Sequence, residues 1–247
     1  MNKSHKNIIV LNEVESTNNY ANQLILSDTA EEGTIVLTQF QKKGRGQFGN
    51  QWESEAGKNM LATIILYPQF LNAEKQFVLS KIVSLSLVEL LKNKTDNFSI
   101  KWPNDIYVGK NKIAGILIEN SIKGSKLFSS LLGIGLNLNQ EEFLSDAPNP
   151  ISLKQITGEE YDIENVAVKI LKSILKWYKR IEIDNFHEID SAYFSHLFRN
   201  GEWAKYSKDG NVFEAKIIGI GKFGQLQLEK RDGTVEEFMF KEVEFIL

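Results

Sequence analysis

Lys101-Trp102-Pro103-Asn104-Asp105-Ile106, followed shortly by Lys112-Ile113-Ala114-Gly115-Ile116-Leu117-Ile118-Glu119, is the stretch on which the reading of this chain turns. It gathers a cation, an amide, a carboxylate and a second cation around one tight turn. Such groups are costly to hold together unless a charged ligand or a metal compensates them. The bland alternative is a set of surface charges around a hairpin, the usual place for such residues. Against it stands Pro103, which stiffens the backbone ahead of Asn104 and so holds the polar pair in place. The apolar, β-branched runs at 98–102 and 113–119 predict strands, with a hairpin at Gly109-Lys110-Asn111.

Working outward, similar runs predict strands at 8–14, 34–40, 60–67 and 128–138. Helices are expected from the Ser16-Thr17-Asn18 cap cluster to about residue 26, over 74–91 and over 163–181, where Val166, Ile170, Ile174 and Trp177 recur at helical spacing. Beyond Asn200-Gly201 the pattern changes to four short strands, 203–207, 212–220, 225–229 and 235–240. They are separated by Lys208-Asp209-Gly210, Gly221-Lys222-Phe223-Gly224 and Arg231-Asp232-Gly233. The expected class is therefore α+β: a domain of sheet and flanking helices over 1–199, then a small SH3-type β-barrel over 200–247.

A second informative segment lies upstream, Gly44-Arg45-Gly46-Gln47-Phe48-Gly49-Asn50-Gln51-Trp52. Its glycines let backbone N–H groups turn toward an anion, and Arg45 adds a fixed charge with a planar fork. It lacks the Lys-Ser/Thr ending of a P-loop. By composition alone it reads equally well as a flexible surface loop, and Trp52 as a core aromatic. Gly133-Ile134-Gly135-Leu136-Asn137 ends an apolar strand, where glycines also mark bulges.

The loop and the 101–119 stretch together closely resemble the signature of biotin protein ligases, and the resemblance runs from Ser16 to Lys241-Glu242-Val243. It implies a fold like those of class II aminoacyl-tRNA synthetases and biotin ligases. It also implies ATP-dependent activation of biotin to biotinyl-5'-AMP, then transfer to a lysine of a biotin carboxyl carrier protein domain. Lys112, Arg45 and Asp105 are the implied catalytic residues: Lys112 contacts biotin and the reacting carboxylate and phosphate oxygens, and Asp105 lies at the reaction centre. Ser16, Thr17, Asn18, Gln41, Gly44, Arg45, Gly46, Gln47, Lys112, Gly115 and Gly135 are implied to line the biotin pocket under the closing loop. Trp52 is implied to face adenine, Asn104 to contact the phosphates or a metal, Asn137 the nucleotide or a metal, and Lys101 the nucleotide phosphates. Mg²⁺ is the implied ion, a hard cation suited to oxygen ligands and substrate phosphates; no residue is assigned as a dedicated metal ligand. Three departures stand out. Many members carry Arg at the position of Gln47 and basic residues at Phe48 and Asn50; Gly more usually stands at Lys241; and some bacterial members begin with a helix-turn-helix domain, for which the first twenty residues leave no room.

The chemistry fits these groups. A carboxyl pKa near ~4 leaves biotin ionised at neutral pH, so attack on the α-phosphorus needs no general base. The acceptor ammonium, with a pKa of about 10.4, must lose a proton before it attacks, and Asp105 is the available carboxylate, as base or orienting acceptor.

Composition bounds the alternatives. The 247 residues hold no cysteine, which excludes disulfides, thiolate zinc sites and a thiol nucleophile, and agrees with an adenylate as the activated form. His5, His187 and His196 are scattered without ligand spacing. A net charge of -3 exerts no global pull on nucleic acid or anionic membrane, and DNA is not an expected partner. The first apolar run is too short for a signal peptide and no stretch is long enough to span a membrane, so the expectation is a cytoplasmic protein. Oligomeric state is left open, a homodimer included. The rival from the same fold is a lipoate-protein ligase, whose usual Arg-Arg and Gly-rich run near His-Asp is missing. The rival from another class is a non-catalytic biotin sensor, which would dispense with Asp105 or Lys112; both are present.

Overall fold

Side chains alternate across a strand with a period of two, so a sheet covered on both faces needs apolar residues at odd and even positions alike. That is the pattern of β2 (Ile35–Gln41), β3 (Met60–Leu66) and β7 (Lys126–Leu136). The structure, a computed structural model, describes residues 7–144 and 149–246, and Phe48 by its backbone alone; His5 lies outside the described residues. With β1 (Ile8–Val14), β4 (Phe98–Lys101), β5 (Asp105–Val108) and β6 (Asn111–Lys123), these strands form a seven-stranded sheet of order β1-β2-β3-β7-β6-β5-β4. The β1–β2 pair is parallel and the other pairs are antiparallel.

One face carries Ile35, Leu37, Ile64, Leu66 and Leu132 against α2 (Phe77–Leu91) and the amphipathic α4 (Ile163–Glu182). Helix α2 is buried nearly all round, because α4 and α5 (Phe186–Ser195) cover the side turned from the sheet. The other face holds a smaller core of Ala21, Val36, Ile65 and Leu131, under α1 (Thr17–Leu26).

The expected strands and the three expected helices form within a few residues of their predicted bounds. Strand β5, α5 and the short α3 (Leu153–Thr157) are additional. Helix α3 begins at a capping box, the Ser152 hydroxyl accepting from the Gln155 N–H and the Gln155 amide oxygen accepting from the Ser152 N–H.

The C-terminal segment corrects one expectation. It is not a closed barrel of four strands but an open antiparallel sheet of five, β8 (Trp203–Lys208), β9 (Asn211–Ile220), β10 (Leu226–Lys230), β11 (Val235–Phe238) and β12 (Glu244–Phe245), in the order β11-β10-β9-β8-β12. Closure would require the two edge strands, β11 and β12, to pair, and among the described residues they do not. The arrangement remains SH3-like. It docks on the larger sheet through Trp102, whose indole N–H donates to the Gly224 carbonyl at 2.8 Å, and through Phe240, packed on Trp102 and Phe77. Among the described residues no helix is long and apolar enough to cross a membrane.

Candidate active site

Three glycines hollow the face of the sheet that carries α1. Gly115 and Gly135 are directly opposite across β6–β7, and Gly133 faces Leu117 two pairs further on. A Cβ on Gly135 would stand 2.5 Å from the Trp52 ring, and one on Gly115 2.9 Å from it. Trp52 therefore lies flat on a floor that only glycine can supply. Its indole N–H is buried and has no acceptor among the described residues. A buried donor left so is costly, and an acceptor brought by a ligand would relieve it.

The cavity over this floor measures about 240 Å³. Ser16, Thr17, Asn18, Gln41, Arg45, Gly46, Gln47, Trp52, Asn104, Asp105, Lys112, Gly115 and Gly135 all line it, though they come from six separate segments. Gly44, Lys101 and Asn137 do not. Gly44 sits behind the loop, its carbonyl accepting from the Trp52 N–H at 3.0 Å. Lys101 turns to Tyr107, donating to the hydroxyl at 3.1 Å and lying over the Tyr107 and Phe245 rings. Burial holds the Lys101 ammonium below the usual lysine range, opposed by Asp105, and burial also pushes Tyr107 up to about 12. Asn137 is buried with its amide on the Ile151 carbonyl at 3.1 Å.

The 44–52 segment is a small closed hairpin. Arg45 bridges Gln51, the Gly46 N–H donates to the Asn50 carbonyl at 2.6 Å, and one 3₁₀ turn, Gln47–Gly49, forms the tip. It holds Arg45 against β6, where Nη2 donates to Glu119 at 3.0 Å and to Asn19 at 2.9 Å.

Lys112 meets Asp105 at 2.7 Å, both side chains largely shielded. A regular strand would place Lys112 and Gly115, three residues apart, on opposite faces. A register shift decides otherwise: Ile106 pairs with Ala114 but Tyr107 pairs with Lys112, leaving Ile113 as the extra residue of a bulge. The bulge is pinned by the neighbouring chain. The Lys112 N–H donates to Asn149 O, Lys112 O accepts from Ile151, and Ile113 O accepts from Asn137. Asn104 is fixed twice to Ile116, through its amide at 2.8 Å and its backbone carbonyl at 2.9 Å.

At the other end, α1 starts at Ser16, but the Ser16 hydroxyl makes no cap bond. Gln41 on β2 takes that place, its amide oxygen accepting from the Thr17 N–H at 2.8 Å. Thr63 is a residue the sequence did not single out. Fully buried on β3, its hydroxyl lies 2.6 Å from Asn18 Oδ1 and 2.8 Å from the Thr17 hydroxyl. Thr63→Val keeps the shape but leaves Asn18 Oδ1 without that donor, so a loss of about 1–3 kcal/mol is expected in denaturant unfolding. A midpoint unchanged from wild type would show that the hydroxyl is dispensable. Glu119, Asn19, Phe240 and Lys241 were also not assigned; Glu119 closes the quoted stretch, and Lys241 was flagged by its departure from Gly.

Of the charged side chains lining the cavity, Arg45, Lys112 and Lys241 are basic and Asp105 is acidic. The balance suits an anionic ligand. No group of three or more His, Cys, Asp or Glu among the described residues is placed to hold a metal by itself. A single carboxylate nevertheless fits Mg²⁺ carried in on substrate phosphates, since that ion keeps several waters and takes one or two carboxylates.

Residues 10–137 match the biotin/lipoate A/B protein ligase family. The chain is 30% identical over 226 residues to a bifunctional ligase/repressor BirA of Bacillus subtilis, covering 89% of this chain and 68% of that protein. It is 30% identical over 200 residues to a biotin–[acetyl-CoA-carboxylase] ligase of Paracoccus denitrificans, covering 78% and 82%. In structure it is similar to a biotin protein ligase from Aquifex aeolicus in complex with biotin and ATP, with a TM-score of 0.79, 29% identity and coverage of 98% and 99%.

Proposed function

Because the chain belongs to the biotin/lipoate A/B protein ligase family, we propose that this cavity activates biotin with ATP and passes the biotinyl group to a lysine of a carrier protein. The observation that carries the proposal is the meeting of the Lys112–Asp105 pair, the Arg45 loop and the Trp52-covered glycine floor in one cavity with an excess of positive charge. The protein is an ATP-dependent biotin ligase.

In the first step a biotin carboxylate oxygen attacks the α-phosphorus and pyrophosphate leaves. Both reactants are anions, so the site must bring them together and stabilise the charge that develops. Lys112 is the preorganised cation for this, held in place by Asp105 at 2.7 Å. Arg45 stands ready on the loop, and Glu119 and Asn19 hold its guanidinium beside β6 until a ligand competes for it. Thr17, Asn18, Gln41 and Thr63 form a continuous polar patch at the α1 end suited to the polar ring of biotin. Trp52 offers an apolar ring for adenine and an indole N–H awaiting an acceptor. Asp105 and the Asn104 segment would hold Mg²⁺, which supplies charge neutralisation of the phosphates when bound.

In the second step the acceptor amine attacks the mixed-anhydride carbonyl, an amide forms and AMP leaves with the phosphate oxygen. Asp105 takes or orients the amine proton; in support, its carboxylate lines the cavity 2.7 Å from the Lys112 ammonium. The acceptor is a biotin carboxyl carrier protein domain, and the reaction is assigned to the cytoplasm.

The direct test is incubation with ATP, Mg²⁺ and either biotin or lipoate, with mass detection of the acyl-adenylate and assay of pyrophosphate. Biotinyl-adenylate is the expected product. Activation of lipoate without biotin would transfer the site to the other branch of the family.

A further inference from the structure

Arg45 is the one cation of the 44–52 segment, and it lines the cavity with its guanidinium already engaged. Its Nη2 donates to Glu119 Oε2 at 3.0 Å and to Asn19 Oδ1 at 2.9 Å. A guanidinium offers a carboxylate or phosphate a two-pronged edge, either Nε with Nη2 or Nη1 with Nη2. Nη2 belongs to both edges. With both of its hydrogens taken, Arg45 has no complete edge to present, and Nε and Nη1 can each offer an anion only one prong. A bidentate contact requires that Glu119 or Asn19 give up its bond.

Glu119 is built to give it up. Its Oε2 also accepts from Asn18 Nδ2 at 2.7 Å, a shorter bond than the one to Arg45. Asn18 is 3% exposed and held at its other end, its Oδ1 lying 2.6 Å from the Thr63 hydroxyl. Gly133 makes room for it: a Cβ there would stand 2.7 Å from Asn18 Oδ1 and 2.8 Å from the Leu117 carbonyl oxygen. The Asn18 amide therefore stays on the carboxylate when the guanidinium leaves, so the exchange does not strand an acceptor. The Arg45–Glu119 pair is also the more open of the two ion pairs at the cavity. Its side chains are 41% and 38% exposed, against 26% and 20% for Lys112 and Asp105. Ion pairs so exposed contribute little in water and are readily exchanged.

We propose that Glu119 is a positioning residue for the adenylation step that acts through Arg45. It holds the guanidinium beside β6 with both edges closed and yields it to an anionic group of the substrates, while Asn18 keeps the carboxylate hydrogen-bonded. This rests on the reading of the cavity as an ATP-dependent biotin site and assigns the group that governs one of its cations. The anion that takes Arg45, a carboxylate or a phosphate, replaces Glu119 and gains only the difference between the two contacts. Removing the charge of Glu119 therefore tightens binding.

The test is calorimetric binding of biotin alone, and of ATP with Mg²⁺ alone, to wild type, Glu119→Gln, Arg45→Ala and the double variant. Single-turnover adenylation at saturating substrates accompanies it. Glu119→Gln keeps an amide oxygen for Asn18 and removes the charge that competes for Arg45. The dissociation constant is expected to fall by about 2–5-fold in at least one arm, and the arm that responds tells whether the biotin carboxylate or the triphosphate takes Arg45. The gain is expected to vanish in the Arg45→Ala background, the mark of a residue that acts through another. The saturated rate constant is expected to stay within about twofold of wild type, since Arg45 makes the same transition-state contacts from either starting point. A residue that merely braced the loop would weaken binding when its charge was removed. Dissociation constants unchanged or raised in both arms, or a gain of equal size without Arg45, overturn the proposal. A saturated rate lowered by about tenfold or more also overturns it, because Glu119 would then hold Arg45 in its working position. Wild type that neither binds nor activates biotin, with the Arg45-dependent gain present in the ATP arm, would leave the role of Glu119 standing and remove the biotin reading instead.

Discussion

Lys112→Ala is expected to lower the rate of biotinyl-adenylate formation by ~10²–10³, the usual consequence of losing one preorganised electrostatic partner. The geometry makes the loss hard to compensate. Lys112 is placed by a bulge that three backbone hydrogen bonds pin to the 149–151 segment and Asn137, which opposes a neighbouring residue sliding into its position. Its removal also leaves Asp105 in a partly shielded site without the cation 2.7 Å away, so a carboxylate would then repel the two anionic substrates. Asp105→Asn separates the two steps. It retains the shape and keeps Lys112 in the cavity, so transfer to lysine is expected to suffer at least as much as adenylation. Single-turnover measurement of each step decides, and rate constants near wild type for either variant would remove that residue from the mechanism.

Gly135→Val is the second large effect. A single added Cβ would already stand 2.5 Å from one atom of the Trp52 ring and 2.8 Å from two more, and Gly115 opposite allows no retreat, since a Cβ there would meet the same ring at 2.9 Å. The indole must leave its floor. A displacement of about 1 Å at a site of this kind costs ~10² in rate, and overpacking adds about 1–3 kcal/mol of destabilisation. The expected result is a folded protein, lowered in denaturant midpoint, with kcat/KM for ATP reduced by roughly 10². Wild-type kcat/KM for ATP in the valine variant would show that the position of Trp52 on the glycine pair is irrelevant to the reaction.

Much of the architecture was legible because local signals agreed with one another. The β-branched runs became the strands of the large sheet. The 3.6-residue pattern from Val166 to Trp177 became the buried stripe of α4. Helix α5 was missed because polar and acidic residues interrupt its stripe, leaving only Ile189 and Tyr193 fully buried. The closed barrel was expected from strand count and turn spacing, which are local quantities. Closure depends on whether the two edge strands, β11 and β12, meet, and among the described residues they do not pair.

The candidate site divides the same way. The sequence by itself determined the chemical inventory: the glycines of the loop and floor, the cations Arg45 and Lys112, the carboxylate Asp105, and the absence of cysteine. It did not determine which way they point. Strict alternation would have turned Lys112 from Gly115, and only pairing with β5 and the 149–151 segment creates the bulge that brings it to Asp105. Arg45 meets Glu119, 74 residues away, because a closed hairpin lays it across β6. Lys241 reaches the cavity because Phe240 docks the C-terminal turn on Trp102, more than a hundred residues upstream. Residue type and local spacing are carried by the chain itself, whereas facing and proximity come from strand register and domain docking, which exist only once distant segments have packed.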